Sequence, residues 1–387
     1  MKILLIGEYS GAYKGLVEVL KKHNHQVLWI HDGDSYKKIQ GADYYIEYKY
    51  IDVSNSILKF ILKIYYNLLD FFGIKGLKQI LSYNSIISEL KDFDIVQLVN
   101  TKPLSGFGSL ANLFLVRHLV KNNENIFLSA LGDDYNWVVS CIRKQPPYSM
   151  FDRMNIKNFL KFKYSLLYVY GVGSRKLNNF VINNVKGIIP GLYDYLHAYK
   201  SQEIPCENLV PLIVKPNKLY TGLSFDSGPI KIFHGWQKGK DLRKGNDIFH
   251  KAIERLRMNY PDLIEYEIVS ELPFDEYVKK YENSHIFIDQ CFSLDQGMNG
   301  LLGMAAGKVV FSGFDEDFIE YLGVDKNKKY LINALPDEDM IYKDLEYLIL
   351  NRDEMKKISK NALQYIEEFH NEDRAYIGYM NIWLAKI

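Results

Sequence analysis

The chain has little of what marks the specialised classes of protein. Its 387 residues include three cysteines, Cys141, Cys206 and Cys291, which are too few and too scattered for a disulfide framework or a zinc site. An odd cysteine count fits a reducing cytoplasm. The formal net charge is +1, so no excess of one sign supports binding to nucleic acid. We therefore expect a cytoplasmic protein with no nucleic-acid partner.

Long apolar runs are missing as well. No segment approaches the roughly 20 uncharged apolar residues that a transmembrane helix needs. Apolar residues nevertheless make up 48% of the chain, which is ample for packed cores. A chain of this length predicts roughly two to three domains.

The first glycine loop lacks the fingerprint of a dinucleotide site. A buried strand at 3–6 leads into Gly7-Glu8-Tyr9-Ser10-Gly11, which has the pattern Gly-x-x-x-Gly. A dinucleotide site would have Gly-x-Gly-x-x-Gly there, so an NAD-dependent oxidoreductase is disfavoured. A helix to about residue 23 and a strand at 26–30 follow, and this unit begins a parallel sheet.

The remaining periodicity predicts two α/β units. Strands are predicted at 95–99, 126–131, 166–171 and 187–189, and then at 230–233, 266–270, 285–289, 309–312 and 330–332. A turn-rich segment at 213–229 is read as a linker. We predict an α/β fold of two Rossmann-like, doubly wound domains (1–212 and 230–371) that face a cleft. A last helix at about 372–387 is predicted to cross back onto the first domain.

A basic, glycine-containing loop opens the second unit. After the strand at 230–233 and before a helix that starts near 246 come Gly235, Lys238, Gly239, Lys240, Arg243, Lys244 and Gly245. The carboxyl ends of strands are where open α/β sheets bind ligands. The positive end of a helix favours an anion there, typically a phosphate. The second half is therefore predicted to bind a phosphorylated small molecule.

Other polar residues fall at the same predicted sheet edges. Asp289 ends a buried strand and Glu271 follows another, so both are candidate ligand contacts with a turn-forming role as the alternative. His234 is a candidate phosphate or sugar contact, although a lone histidine is more often structural. Asp133 and Asp134 follow the strand at 126–131. A carboxylate there can orient or deprotonate an acceptor hydroxyl, or it can cap the next helix.

The order and spacing of several short motifs resemble the glycosyltransferases of the GT-B fold, and within them the retaining family-4 type. The motifs span most of the chain: Gly7 to Gly11, Leu131-Gly132-Asp133-Asp134-Tyr135, Ile188-Ile189-Pro190-Gly191-Leu192-Tyr193-Asp194-Tyr195, Arg243-Lys244-Gly245, and Ile288-Asp289-Gln290 leading to Met304-Ala305-Ala306-Gly307-Lys308. The resemblance implies a nucleotide-sugar donor on the second domain and a glycan or lipid-linked acceptor on the first.

The resemblance also assigns residues. Lys244 matches the family lysine that neutralises the leaving diphosphate, with Lys238 or Lys240 as its partner and Arg243 in reserve. The loop that carries Gly7, Glu8, Ser10 and Gly11 matches the acceptor side. No metal and no cofactor besides the nucleotide-sugar substrate are implied. The two Asp-x-Asp segments, at 32–34 and 92–94, are therefore read as turns.

One motif departs from the family pattern. The family has two glutamates eight residues apart, and ungapped alignment places Leu294 and Leu302 at those positions. Asp295 lies one residue from the first position and can substitute for it. Gly297 retains a turn where the backbone can approach a sugar or phosphate. Loss of both glutamates leaves open unusual nucleotide contacts, weak donor affinity, an altered mechanism or no catalysis.

Two aromatic and basic stretches, 57–81 and 151–176, suggest contact with a membrane surface. Interspersed lysines exclude a membrane span, but a helix of this composition can lie in the interface, and the alternative is packing on its own domain. We predict a sugar transferase of bacterial surface-polysaccharide synthesis (capsule, O-antigen or lipopolysaccharide, or exopolysaccharide), with peripheral contact on the inner membrane face. The alternatives are a non-catalytic GT-B binding partner and a nucleotide-sugar 2-epimerase.

Overall fold

A computed structural model of the protein describes residues 1–34, 38–216, 225–236, 241–270, 272 and 274–387. Within these residues the strands are β1 (Lys2–Ile6), β2 (Gln26–His31), β3 (Tyr44–Tyr45), β4 (Ile95–Leu98), β5 (Ile126–Leu128), β6 (Gly187–Ile188), β7 (Ile230–Gly235), β8 (Ile264–Val269), β9 (Ile286–Ile288), β10 (Val309–Ser312) and β11 (Ile332–Asn333). They form two sheets in the described part of the chain, ordered β3-β2-β1-β4-β5-β6 and β11-β10-β9-β7-β8. Every strand pair is parallel.

Helices connect the strands and cover the sheets. In the first half they are α1 (Ala12–Lys22), α2 (Ser56–Phe71), α3 (Leu77–Ile80), α4 (Asn84–Ser88), α5 (Ser109–Asn122), α6 (Tyr135–Ile142), α7 (Lys163–Tyr170), α8 (Ser174–Asn184) and α9 (Tyr193–Lys200). In the second half they are α10 (Asp241–Lys244), α11 (Asn246–Asn259), α12 (Phe274–Glu282), α13 (Met298–Ala305), α14 (Glu316–Leu322), α15 (Glu338–Leu350), α16 (Arg352–Phe369) and α17 (Glu372–Leu384).

The central strands owe their position to continuous apolar sequence. Ile3 to Ile6 of β1 are all fully buried, and Leu4 is in register with Leu28 on one side and with Val96 on the other. A parallel strand covered by helices on both faces needs apolar side chains on both, so it does not alternate. In the second sheet, every residue of β9 and β10 is likewise buried. The predicted pair of parallel α/β domains is confirmed.

The C-terminal helix returns to the first sheet, as predicted. In α17 the indole nitrogen of Trp383 donates to Oε1 of Gln97 in β4 over 2.9 Å, and both side chains are fully buried. The ring of Tyr376 stacks on His23 at a centroid distance of 3.8 Å. Lys22 also bonds Glu372 over 3.0 Å. These contacts fix the chain's end beside α1.

Two elements differ from the sequence-based expectation. The predicted strand at 166–171 is the helix α7, because Ser165 and Tyr168, three residues apart, form one buried face against α6 and α8. Tyrosine and valine fit strands by propensity, and tertiary packing overrides that preference here. The edge strand β3 was not predicted because neither of its two residues is buried, so it forms no apolar run. The domain limits at 212 and 230 stay predictions, although the two sheets fall on either side of them.

Candidate functional site

A cleft with a cavity volume of about 380 Å³ lies between the two sheets, at the carboxyl ends of their strands. Eight residues that the sequence singled out line it: Ser10, Asp133, Gly235, Arg243, Lys244, Asp289, Asp295 and Gly297. The rule that open α/β sheets bind ligands at this edge therefore located most of the lining.

Arg243 spans the cleft to the opposite wall. Nη2 of Arg243, in the short helix α10, lies 2.9 Å from Oδ1 and 2.8 Å from Oδ2 of Asp133, in the loop after β5. The side chains are 16% and 12% exposed, so this is a sheltered ion pair. The hydroxyl of Ser165, in α7, also donates to Oδ2 of Asp133. Arg243 thus holds a candidate catalytic carboxylate.

Lys244 makes its ion pair within its own half of the molecule. Its Nζ lies 2.7 Å from Oδ1 of Asp289, which follows β9, and the Asp289 side chain is only 1% exposed. The hydroxyl of Ser312, at the end of β10, donates to the other carboxylate oxygen over 3.0 Å. Asp289 therefore orients the lysine that faces the cleft.

Gly245 explains why the two cations are presented together. Its φ of 75° is in the left-handed region, and a Cβ there would overlap Sγ of Cys291. Only glycine fits this turn between α10 and α11. The turn brings the last residues of α10 to the edge of the second sheet.

Asp134 does not reach the cleft, in contrast to the prediction of a catalytic role. It is fully buried, and its Oδ1 accepts from the backbone N–H of Trp137 over 2.7 Å as the N-cap of α6. Tyr199 OH donates to its Oδ2 over 2.6 Å. Burial raises the pKa of Asp134 to about 6. The helix-cap alternative describes this residue, and it leaves Asp133 as the aspartate of this motif that lines the cleft.

His234 is also engaged within the protein, in contrast to the predicted phosphate or sugar contact. Its Nδ1 lies 2.7 Å from Tyr266 OH and its Nε2 lies 3.1 Å from Oδ1 of Asn246, and the side chain is fully buried. Burial lowers the pKa of His234 to about 4, so the ring stays neutral near pH 7. Its role is to tie β7 to the start of α11.

The predicted acceptor loop is used mainly to build the start of α1. Glu8 is buried, and its carboxylate accepts from the backbone N–H of Gly11 over 2.6 Å and of Tyr13 over 3.1 Å. Gly7 has a φ of 93°, and a Cβ there would overlap Val99. Gly11 is the N-cap of α1. Of the four predicted acceptor residues, Ser10 alone lines the cleft described here.

Asp295 and Asp194 join the two halves of the molecule through reciprocal bonds. The backbone N–H of Tyr193, the first residue of α9, donates to Oδ2 of Asp295, and the N–H of Leu294 donates to Oδ1 of Asp194 over 3.0 Å. Burial raises the pKa of Asp194 to about 7 and that of Asp295 well above its usual range. The charge of Asp194 adds to the effect of burial on the pKa of Asp295. Asp295 is therefore occupied by an interdomain contact.

The two leucines of the altered motif have different surroundings. Leu302, in α13, lines the cleft, while Leu294 is 1% exposed and belongs to the core. Gly297 is the N-cap of α13 and lines the cleft beside Leu302. An apolar side chain thus stands where the resemblance implies a carboxylate for the ribose.

Three predicted donor residues, Lys238, Lys240 and Glu271, lie outside the described residues. Within the described part of the chain, no group of three or more His, Cys, Asp or Glu side chains is arranged to hold a metal ion. In the first Asp-x-Asp segment, Asp32 accepts from Ser105 and Gly106, and Asp34 accepts from the N–H of Ser10 over 2.8 Å.

Sequence reasoning missed the aromatic part of the first wall. Tyr9, Trp137 and Tyr195 line the cleft next to Asp133, and the rings of Trp137 and Tyr195 meet edge to face at a centroid distance of 6.1 Å. Asp194 was also missed as a site residue. It follows β6 by a few residues, so the strand-end rule could have found it.

A second cavity of about 400 Å³ lies on the other side of Asp295, lined by Phe318, Tyr321 and Arg374 among others. Neither Arg243 nor Lys244 lines it, so we place the candidate site in the first cleft.

Comparison with known proteins identifies the fold. No family model matches the chain, and no curated protein matches it. Among solved structures, sucrose-phosphate synthase from Thermosynechococcus elongatus aligns with a TM-score of 0.60 at 10% identity, over 100% of this chain and 99% of that one. HepE from Anabaena, solved with UDP and glucose, gives 0.57 at 11% identity, with 100% of both chains covered. UDP-GlcNAc 2-epimerase from Neisseria meningitidis, bound to UDP-GlcNAc, gives 0.50 at 13% identity, with 99% of both covered. The chain has the GT-B fold.

Proposed function

We propose that this chain is a glycosyltransferase that moves a sugar from a nucleotide donor, in the first place a UDP-sugar, to a hydroxyl of a glycan or lipid-linked glycan. The observation that carries the proposal is the pairing of Arg243 with Asp133 across the cleft, beside Lys244. One wall thus presents cations and the other presents a carboxylate, and Arg243 bonds directly to Asp133.

The proposed chemistry assigns one task to each wall. Departure of a nucleoside diphosphate builds negative charge, and Arg243 and Lys244 are fixed where they can stabilise it. Asp133 orients or deprotonates the acceptor hydroxyl. Because two cations supply the positive charge, we propose that the step needs no metal. Lys238, Lys240 and Glu271 remain proposed donor contacts.

The relation to the retaining family-4 enzymes is part of the proposal. Its support is the order of the motifs and the place of Lys244 before Gly245. Leu302 in the cleft argues for weaker contact with the ribose than that family has. Retention of the anomeric configuration and a role in capsule, lipopolysaccharide or exopolysaccharide synthesis are proposed on the resemblance alone.

The test is product analysis after incubation with UDP-glucose or UDP-GlcNAc, with and without a mixture of lipid-extracted and soluble glycan acceptors. Acceptor-dependent release of UDP together with a new glycoside supports the transferase. Conversion of the donor sugar without acceptor would support the 2-epimerase instead, which is a candidate because a 2-epimerase shares the fold. No turnover with intact UDP binding would favour the non-catalytic partner that Leu294 and Leu302 suggest.

We also propose that α2 and the segment 156–172 rest on an anionic membrane surface. No residue of α2 is buried, and its apolar side chains Ile57, Phe60 and Ile61 are 70%, 64% and 53% exposed. The neighbouring segment exposes Ile156 by 92% and Leu160 by 66%. The two are joined by the bond from the N–H of Val172 to the carbonyl of Phe71, over 2.7 Å.

The charge of this face supports a lipid surface as the proposed partner. Five exposed lysines (Lys59, Lys63, Lys157, Lys161 and Lys163) fringe this apolar face. Asp70 is the only acid within 56–72 and 156–172, and it is paired with Lys102 over 3.3 Å. A helix with apolar and basic side chains binds anionic interfaces. Within the described residues, no helix is long and apolar enough to span the bilayer.

Vesicle cosedimentation tests this contact. We expect binding to phosphatidylglycerol-containing vesicles, weaker binding to pure phosphatidylcholine, and a loss of roughly tenfold in the Phe60→Ser/Ile61→Ser variant. Met258→Ser, which removes a 78% exposed side chain of α11, is the matched control and should bind as the wild type does. Equal binding of the α2 variant and the control would refute the proposal.

A further inference from the structure

Two neighbouring cations of the candidate site are each paired with an aspartate, and the two pairs are built differently. Lys244 and Asp289 both belong to the second sheet's half, and Asp289 is 1% exposed with Ser312 on its other oxygen. Arg243 pairs with Asp133 of the first sheet's half, and that carboxylate is 12% exposed. The first pair is part of a folded core, while the second can part if the two walls or the loop after β5 move.

A diphosphate is a suitable competitor for Arg243. The guanidinium group carries five N–H donors in a planar fork that matches carboxylates and phosphates alike. Asp133 engages Nη2 with both of its oxygens, which is the kind of contact that a phosphate can replace. After the exchange the diphosphate pairs with Arg243, and the Asp133 carboxylate, no longer paired with a cation, keeps the hydrogen bond from the Ser165 hydroxyl.

We propose that the diphosphate of the donor exchanges with Asp133 for Arg243, so that donor binding releases the Asp133 carboxylate to the acceptor. This inference rests on the proposed function and adds an order to it. The donor binds first, and its binding turns an ion-pair partner into the group that faces the hydroxyl. Asp289 stays with Lys244 throughout, because it is buried and held on both oxygens.

The exchange predicts that UDP binds more tightly when the competing carboxylate of Asp133 is removed. Asp133→Asn keeps the shape of the side chain and an acceptor for Ser165, but it no longer competes for Arg243 as an anion. We expect UDP to bind roughly fivefold more tightly to this variant, which corresponds to the strength of a partly exposed ion pair. Calorimetric titration at fixed ionic strength measures the change.

A double-mutant cycle separates exchange from a general effect of charge. Arg243→Ala should weaken UDP binding, and Asp133→Asn should have no further effect in the Arg243→Ala background. Equal tightening in both backgrounds would mean that Asp133 acts through space, and the exchange would be wrong. Unchanged or weaker binding in Asp133→Asn would make the pair a structural clamp, which also overturns the inference.

Two controls keep the outcomes distinct. Thermal unfolding checks that the variants fold, and Asp133→Ala, which removes both oxygens, is the second variant if Asp133→Asn is unstable. Binding of UDP to the wild type with no gain in Asp133→Asn rejects the exchange and spares the proposed function. Absence of nucleotide binding in the wild type rejects both.

Discussion

The two walls of the cleft differ in the chemistry that they present. The wall from the second sheet carries Arg243 and Lys244 on a glycine-bounded turn. The wall from the first sheet carries Asp133 and Asp194 with the rings of Tyr9, Trp137 and Tyr195. Cations suit a diphosphate, while carboxylates and aromatic faces suit a hydroxyl-bearing ring. The same fold on both sides therefore supports two different tasks, and the side chains at the strand ends decide which.

The two walls also differ in how their candidate residues are held. On the second wall Lys244 is oriented by Asp289 and Ser312 of its own sheet. On the first wall, the predicted site residues Glu8 and Asp134 accept hydrogen bonds from backbone N–H groups at the starts of α1 and α6. Lys244 is thus oriented in advance, while Arg243 and Asp133 occupy each other across the cleft.

The largest expected effect comes from breaking the first wall at Asp133. Asp133→Asn should lower sugar transfer by about 100-fold or more, because a general base or orienting carboxylate contributes on that scale. Steady-state transfer at saturating donor measures it. Asp134→Asn is the matched control, since asparagine also caps a helix well, and it should keep most of the activity. Similar losses in both variants would assign the effect of Asp133 to folding.

The next effect comes from breaking the second wall at Lys244. Lys244→Ala should weaken UDP binding by about 2 kcal/mol, or roughly 30-fold, because a charge-assisted bond to phosphate is lost. Lys251→Ala, at an exposed position of α11, is the control and should bind normally. Unchanged affinity in Lys244→Ala would remove the basic loop from the donor site.

The smallest expected effect concerns the Asp194 and Asp295 pair, which holds the walls together. Burial raises the pKa of both, so the stability that their protonation contributes is complete below the ordinary value of 3.8 and is lost as pH rises through about 7. Between pH 6 and 8 we expect the unfolding temperature of the wild type to fall by about 3 °C more than that of Asp295→Asn. Parallel curves for the two proteins would contradict this.

Much of the fold follows from the sequence, because buried parallel strands are continuous apolar runs. The runs at β1, β9 and β10 needed no tertiary information. The helix α7 could not be predicted this way, since its tyrosines and valine favour strands and only packing decides against that preference. The edge strand β3 has no buried residue and therefore leaves no apolar run in the sequence.

The sequence predicted where the candidate site residues lie, but not which residues they bond to. The strand-end rule located Asp133, Asp289 and the basic loop. It could not distinguish Asp133 from Asp134, because both follow the same strand. The structure shows that Asp133 lines the cleft while its neighbour Asp134 caps α6. Nor could the rule show that His234 is engaged on both nitrogens, because Tyr266 and Asn246 come from other elements. Partners that lie far apart in sequence become visible only when the sheets face each other.

The measurement that tests the central claim most directly is a calorimetric titration of the wild-type chain with UDP, followed by GDP, ADP and CMP. We predict saturable binding of a nucleoside diphosphate, UDP first, that weakens as salt is added, because Arg243 and Lys244 face the cleft. No binding of any of the four nucleotides would contradict the assignment of this wall as a donor site.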